Sequence, residues 1–263
     1  MEQIGYLEPL QHEPSTPVTY YLPVGNERVL LNEALGETIQ LTFLGEKACR
    51  HCGRKIKKTY NNGYCYPCYT NLAENDLCIV KPELCHFHKG TCRDTAFGEK
   101  FCMQAHYVYL ALSSEVKVGI TRKPNALKRW IDQGAVAALP IMEVPSRKIA
   151  GELEVHLAQY IKDKTNWRKM LKNDIRDENL IEVRAQIVEK IPEEYHPYLL
   201  PINEPYTFNY PHLSVPDKIT SLNLDKQAVI TAKLMGIKAQ YLIFDQGVLN
   251  IRKHTGYKVS WHI

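Results

Sequence analysis

The stretch NALKRWIDQGAVAALPIMEVPSRKIAGELEVHLAQYIKDK, residues 125–164, sets the character of the fold, because it contains two helical patterns with their own start and stop signals. The first is expected over about Asn125 to Gln133, capped by Asn125 and stopped by Gly134. The second is expected over about Ser146 to Lys164, where Ser146 follows Pro145 as a cap. Its apolar stripe is Ile149, Ala150, Leu153, Leu157, Tyr160 and Ile161, a helical period. At about 100° per residue, Glu154 falls inside the sector of Ala150, Leu157 and Ile161, whereas Glu152 is turned about 200° away. A carboxylate on an apolar face costs free energy unless it is paired, protonated or holding a metal. A buried ion pair with an arginine is the plain alternative, and Arg129 on the preceding helix could supply it.

Outward from this stretch the pattern changes to short β-like runs. Before it lie Val18 to Leu22 and Thr38 to Leu44, separated by Pro23, Gly25, Asn26 and Gly36. After a third helix near Asp177 to Lys190 come Lys218 to Leu224, Ala228 to Met235, Gln240 to Phe244, Val248 to Arg252 and Tyr257 to Trp261. Turns at Asp245-Gln246-Gly247 and Thr255-Gly256 break them. Neither group can bury both faces alone, so the N-terminal strands are expected to pair with the C-terminal ones in a β-sandwich or partly closed barrel. The expected class is α+β: strands over 1–48, a cysteine-rich segment over 49–106, an α/β module over 107–172, and a linker helix with a β domain over 173–263.

The 263 residues have a formal charge of +4, too small to name a partner. Its distribution is more telling: Lys and Arg minus Asp and Glu gives −5 over 1–48, +4 over 49–106, +6 over 107–172 and −1 over 173–263. An acidic partner such as nucleic acid would meet the middle of the chain first, although a solvated basic face gives the same pattern. No apolar run reaches the length needed to span a membrane and the start has no secretion-like leader, so a cytoplasmic protein is expected. Nothing in the pattern fixes an oligomeric state. Phosphate loops, His-Glu-x-x-His helices and Gly-x-Ser-x-Gly elbows are absent.

Cys49, Cys52, Cys65 and Cys68 form two Cys-x-x-Cys knuckles separated by twelve residues, the pattern of a four-thiolate structural zinc site. Gly53 and Gly63 suit the turns, and Arg50, Arg54, Lys55, Lys57 and Lys58 surround the thiolates with positive charge. Disulfides or separate thiols are the competing readings, and a reducing compartment favours metal. Cys78, Cys85, Cys92 and Cys102 follow without any Cys-x-x-Cys pair, interleaved with His86, His88 and His106. Isolated buried thiols would explain them. The clustering and the loop residues Pro82, Gly90 and Gly98 favour a second zinc site with the four cysteines as ligands, leaving His88 and His106 at the surface or facing substrate.

Together these residues resemble the GIY-YIG nuclease superfamily, whose signature is two short strands, then a helix with an arginine, then a helix with a glutamate. Tyr107-Val108-Tyr109 stands at GIY and Lys117-Val118-Gly119, followed by Ile120-Thr121, at YIG. Arg129 takes the arginine position, Glu154 in Ala150-Gly151-Glu152-Leu153-Glu154 the glutamate position, and Thr165-Asn166-Trp167 lies where an asparagine is frequent. The resemblance covers about Tyr107 to Leu171, and with its zinc segment the chain is similar to a bacterial branch of the superfamily rather than to the repair and homing members. It implies that Glu154 ligates Mg²⁺ or Mn²⁺, that Arg129 stabilises charge on the scissile phosphate, and that Tyr109 activates or orients water. Tyr107 replaces the glycine of GIY and Lys117 the tyrosine of YIG. A lysine there can contact phosphate, or act as a base if burial lowers its pKa.

The expected function is a metal-dependent endonuclease acting on DNA or structured RNA, with Arg54, Lys57, Lys58, Arg122 and Lys128 contacting nucleic acid. The alternatives are a non-catalytic nucleic-acid-binding protein, with Tyr60, Tyr64, Tyr66 and Tyr69 stacking on bases, or a protein–protein adaptor. Those tyrosines have a plain role as small-core packing around zinc.

Overall fold

Thr38–Ala48 is a strand because its apolar positions alternate, with Ile39 and Leu41 buried and Thr38 and Gln40 exposed. In the computed structural model, which describes residues 2–263, this strand collects partners from both ends of the chain. Tyr257–His262 runs antiparallel along one side, with Trp261 opposite Leu41 and Val259 opposite Phe43. Val229–Lys238 runs antiparallel along the other, with Ile230 opposite Leu41. Glu2–Tyr6 extends the sheet beyond Tyr257–His262, while Tyr241–Phe244 and Gly247–Asn250 extend it beyond Val229–Lys238. With Lys55–Ile56 on Thr38–Ala48 the sheet has seven strands. A separate three-stranded sheet holds Gln11–Glu13, Thr19–Val24 and Glu27–Leu30.

The expected pairing of N-terminal with C-terminal strands is present in the antiparallel seven-stranded sheet, whereas the expected N-terminal strand at Val18 to Leu22 pairs instead with its own neighbours, Gln11–Glu13 and Glu27–Leu30. Lys218 to Leu224 departs from expectation and forms no strand. Only Ser221 bridges, to Val248, because the chain turns away at once: Asn223 and Asp225 close a turn, and Asp225 is drawn to Lys47 (2.6 Å) and the Tyr257 hydroxyl (2.8 Å).

Contact density divides the chain into two units: the residues up to Thr70 together with Phe208–Ile263, and Asn71–Thr207. The division places the first cysteine group with the seven-stranded sheet and the second with the α/β module. It falls at different points from the four segments drawn from sequence, because pairing across the sheet outweighs continuity along the chain.

The second unit is built on a hairpin of His106–Leu112 and Val116–Arg122, whose residues are almost all buried. Ala137–Val144 pairs antiparallel on the other side of His106–Leu112, and Tyr206–Thr207 closes that edge. The helices are Leu77–Val80 and Thr95–Phe101 in the cysteine segment, then Ala126–Asp132, Arg147–Leu157, Trp167–Leu171 and Leu180–Val188. Leu153, Leu157, Leu180 and Ile187 pack with Val108, Leu110, Val118, Leu139 and Ile141 in one core. The glutamate helix ends at Leu157, not near Lys164. Beyond it the chain turns so that the Lys162 carbonyl accepts the Val118 N–H at 2.9 Å, satisfying a donor on the edge of the hairpin, and Tyr160 of the expected stripe is left exposed. Among the described residues no helix is long and apolar enough to cross a membrane.

Candidate functional site

The hairpin register sets Tyr109 directly opposite Gly119. The Tyr109 ring lies across that glycine so closely that a Cβ there would sit 2.7 Å from its hydroxyl oxygen. Trp130 meets the ring edge-on at 5.7 Å, and the Tyr109 hydroxyl donates to Gln133 Oε1 at 2.9 Å. Tyr109 is thus fully buried, and burial raises its pKa while nearby Arg129 lowers it. Two residues before Gly119, Lys117 is buried on the same hairpin. Burial brings its pKa down to about 7, with Arg129 adding to the effect and Glu154 and Asp163 opposing it.

Arg129 is exposed on the short helix Ala126–Asp132 and Glu154 is half-buried on Arg147–Leu157. Burial raises the Glu154 pKa against the pull of Arg129, Arg147 and Lys117. Arg129 and Glu154 line one open cavity of about 420 Å³ with Arg122, Arg147, Asn125, Thr121 and Ile120, and its further wall is Ile79, Val80 and Pro82. Tyr109 and Lys117 are buried and are not part of this lining. Glu152 is not part of it and pairs with Lys148 along the helix, as its outward angle implies.

The other cations expected to touch nucleic acid are dispersed. Arg122 is on the cavity wall, but Lys128 is paired with Asp132 at 2.7 Å on the exposed side of its helix. Arg54, Lys57 and Lys58 are exposed on the cysteine finger of the first unit. There Lys58 lies 5.1 Å from the Tyr60 ring centre, and Tyr60 meets Tyr66 at 5.4 Å and Tyr69 at 5.8 Å. Tyr66 and Tyr69 remain exposed, so they are not simply core packing.

Sequence reasoning passed over Arg147, Gln133 and Asp163. Arg147 had a usable signal: it opens the glutamate helix, where the helix dipole disfavours a cation by about 0.3–1 kcal/mol, so something else must hold it. Its Nη2 donates to the Ile79 carbonyl at 2.6 Å. Gln133 and Asp163 had no such mark.

Among the described residues, two groups of three or more Cys, His or Asp side chains have their ligand atoms gathered closely enough for a metal. The sulfurs of Cys49, Cys52, Cys65 and Cys68 all lie within 4.8 Å of one another, and Cys52 and Cys65 are 3.8 Å apart. With Zn–S bonds of about 2.3 Å a tetrahedron needs a sulfur spacing of about 3.8 Å, so the cluster fits a structural zinc ion. Gly53 and Gly63 turn the chain here at φ +70° and +118°, angles that other residues rarely adopt. Burial pushes the Cys49 thiol up, but backbone N–H groups of Cys52, Cys65 and His51 outweigh it and bring it down to about 6.

Cys78, Cys85, Cys92 and Cys102 line a second, small cavity of about 10 Å³, room for one water-sized sphere, together with Asp76 and His86. The tightest potential ligands are Asp76, Cys78 and His86, which departs from the four-cysteine expectation. Asp76 is already committed, however: it caps the helix Leu77–Val80 through Cys78 N–H and pairs with Arg93 at 2.6 Å and His86 at 3.6 Å. His88 is exposed. His106 is fully buried with its pKa brought down to about 4 by burial and the neighbouring Arg147 and Arg122, so it faces the interior and not a substrate.

A sequence profile described as a protein of unknown function (DUF2797) matches residues 36–259. The chain belongs to the DUF2797 family. The DUF2797 match takes in both cysteine groups, the cavity residues and the C-terminal strands as far as Val259, and it leaves out Glu2–Tyr6 and the three-stranded sheet. No curated protein and no solved structure matches the chain.

Proposed function

We propose that this protein is a metal-dependent phosphodiester hydrolase of the GIY-YIG type that binds and cuts nucleic acid. The observation that carries the reading is the meeting of Arg129 and Glu154, from two helices, on one open cavity that also holds Arg122 and Arg147. The order of elements supports it: a hairpin, the arginine helix, and then the glutamate helix. Glu154 is half-buried and among cations, yet it faces a cavity and is not sealed against Arg129 in a closed core, which weighs against a purely structural ion pair.

A phosphodiester entering this cavity meets guanidiniums that bind its oxygens and stabilise the charge that builds as water attacks phosphorus and the ester oxygen leaves. Glu154 is the one carboxylate on the wall and fits Mg²⁺ or Mn²⁺, since Mg²⁺ keeps several waters and needs only one or two carboxylates. Such an ion would supply Lewis-acid polarisation of a phosphoryl oxygen. Lys117, with a pKa of about 7, is suited to exchange a proton near neutral pH. Tyr109, engaged with Gln133, acts as a positioning residue. The first cysteine group holds structural zinc, fully coordinated, so chemistry occurs elsewhere. Eight free cysteines suit a reducing, cytoplasmic setting.

Purified protein with Mn²⁺ is expected to nick DNA or structured RNA, and Glu154→Ala to lower the rate at least about a hundredfold while leaving affinity within about twofold. A panel in which no substrate is cut, or in which Glu154→Ala cuts as well as wild type, refutes the hydrolase reading. Tyr66 and Tyr69, exposed beside Lys58, favour a second reading, non-catalytic binding of nucleic acid through a zinc-stabilised finger. Salt-sensitive binding without cutting selects it, and binding that ignores salt removes both and leaves an adaptor.

A further inference from the structure

Asp76, Cys78 and His86 line the small second cavity, and their ligand atoms all lie within 4.8 Å of one another. A residue outside this group sets the histidine. Thr91 Oγ1 donates to the His86 carbonyl at 3.3 Å and lies 2.8 Å from His86 Nδ1, so it accepts the Nδ1 proton. Metal-binding histidines are held in this way, because a donor bond from one ring nitrogen fixes the tautomer and turns the lone pair of the other toward the ion. His86 Nε2 therefore presents a lone pair, and it faces another acceptor, Asp76 Oδ1, at 3.6 Å. Two acceptors at that distance share no hydrogen bond. Zinc bonds of about 2.0–2.2 Å to nitrogen and oxygen, opened to a tetrahedral angle, set two such atoms about 3.3–3.5 Å apart.

Asp76 can serve although it is engaged elsewhere. A carboxylate offers about four lone-pair sites, and Arg93 at Oδ2 and the Cys78 N–H at Oδ1 use two of them. Cys78 is buried and supplies a thiolate. With one aspartate, one thiolate and a neutral histidine, a divalent ion reaches zero net charge and needs no further counterion. The cavity offers about 10 Å³, room for a single water as fourth ligand. Cys92 is engaged outside the group, its thiol donating to the Asp94 carbonyl at 3.2 Å.

We propose that Asp76, Cys78 and His86 bind a zinc ion whose fourth ligand is a water held in the small cavity. Unlike the four-thiolate site of the first cysteine group, this one keeps an exchangeable position. The ion ties the turn carrying His86 to the helix Leu77–Val80, whose Ile79 and Val80 form part of the wall of the larger cavity around Glu154.

The test measures zinc in the full-length chain and the absorption spectrum of the cobalt-substituted protein. Wild type is expected to carry two zinc ions, His86→Gln one and Cys92→Ser two. Cobalt added in steps fills two sites, and thiolate-to-cobalt absorption at one is roughly a quarter of that at the other, one thiolate against four. One zinc per wild-type chain overturns the proposal and leaves Asp76, Arg93 and His86 as an ion-pair cluster. So does His86→Gln that retains both ions. Loss of an ion from Cys92→Ser, or equal charge-transfer absorption at the two sites, means thiolates in place of Asp76 and His86 and overturns it as well. Should either variant fail to fold, the cobalt spectrum of wild type decides alone. None of these readouts involves nucleic acid, so this proposal and the hydrolase reading fail separately.

Discussion

Lys117 combines a buried position with a charge that water would otherwise solvate, and its proton is correspondingly loose. The folded pKa of about 7 lies below the ordinary value of 10.5, because burial and Arg129 disfavour the cation. Between those two values the unfolded chain binds more protons than the folded one, so the contribution of Lys117 makes stability rise with pH across that window. Below pH 7 both states are charged and the full penalty stands. Urea unfolding of wild type, compared with Lys117→Met, should show wild type gaining up to about 1.4 kcal/mol per pH unit on the variant between pH 7 and 9. A constant difference between the two proteins across that range would show that Lys117 is solvated in its charged form. Glu154 was legible from sequence because a carboxylate interrupts an apolar sector, and a helical wheel exposes it. The depth of Lys117 and the engagement of Tyr109 by Gln133 were not, since they depend on the segment at Lys162 and the end of the helix Ala126–Asp132 packing against the hairpin. Arg147 stood at a helix start where its charge is unfavourable, but only the Ile79 carbonyl shows what holds it.

Among the elements, the glutamate helix and the turn at Pro82–Leu84 make the closest approach that bears on the cavity. A Cβ on Gly151 would fall 2.5 Å from Pro82 Cβ and 2.7 Å from the Glu83 backbone nitrogen. Helix propensity alone favours alanine over glycine by about 0.5–1 kcal/mol. Here the added methyl meets backbone that cannot swing aside, and overpacking of this kind costs about 1–3 kcal/mol. Gly151→Ala is therefore expected to lower stability by about 1–2 kcal/mol, read as a drop in the urea midpoint, and a stabilised variant would mean that the two segments are not in this contact. Close approaches of this kind are invisible in a sequence, whereas local signals are legible. The cap at Ser146 and the alternation in Thr38–Ala48 are local signals, and the glutamate helix and that strand begin where the pattern predicts them, whereas the side chain of Asn125, the other expected cap, makes no capping bond. Ala137–Val144 shows no alternation and carries Pro140 in its middle, a residue that argues against a strand, and the end of the glutamate helix is decided by a hydrogen bond to a strand far away in sequence.

At the scale of the molecule, the chain leaves one unit at Thr70, completes another over Asn71–Thr207, and returns at Phe208. Tyr257–His262 then enters the seven-stranded sheet between Glu2–Tyr6 and Thr38–Ala48, burying Tyr257, Val259 and Trp261. A strand in that position cannot be lost as an edge strand can. A chain shortened to Gly256 should leave the Thr38–Ala48 amides unprotected in hydrogen exchange while those of His106–Leu112 stay protected. Protection retained in Thr38–Ala48 would contradict the strand order. Pairing of distant segments was anticipated because neither end could form a two-sided layer alone, but the register was not, since it depends on contacts between residues more than two hundred positions apart.

The same strand order imposes a schedule during synthesis. Both long neighbours of Thr38–Ala48 are translated after Asn71–Thr207, so for about ten to forty seconds on the ribosome its two flanks lack their permanent partners. Only the short Lys55–Ile56 segment and the cysteine knuckles emerge soon enough to engage it. Any pairing of that β-segment in the interval therefore falls to the short strand that the knuckles hold beside it.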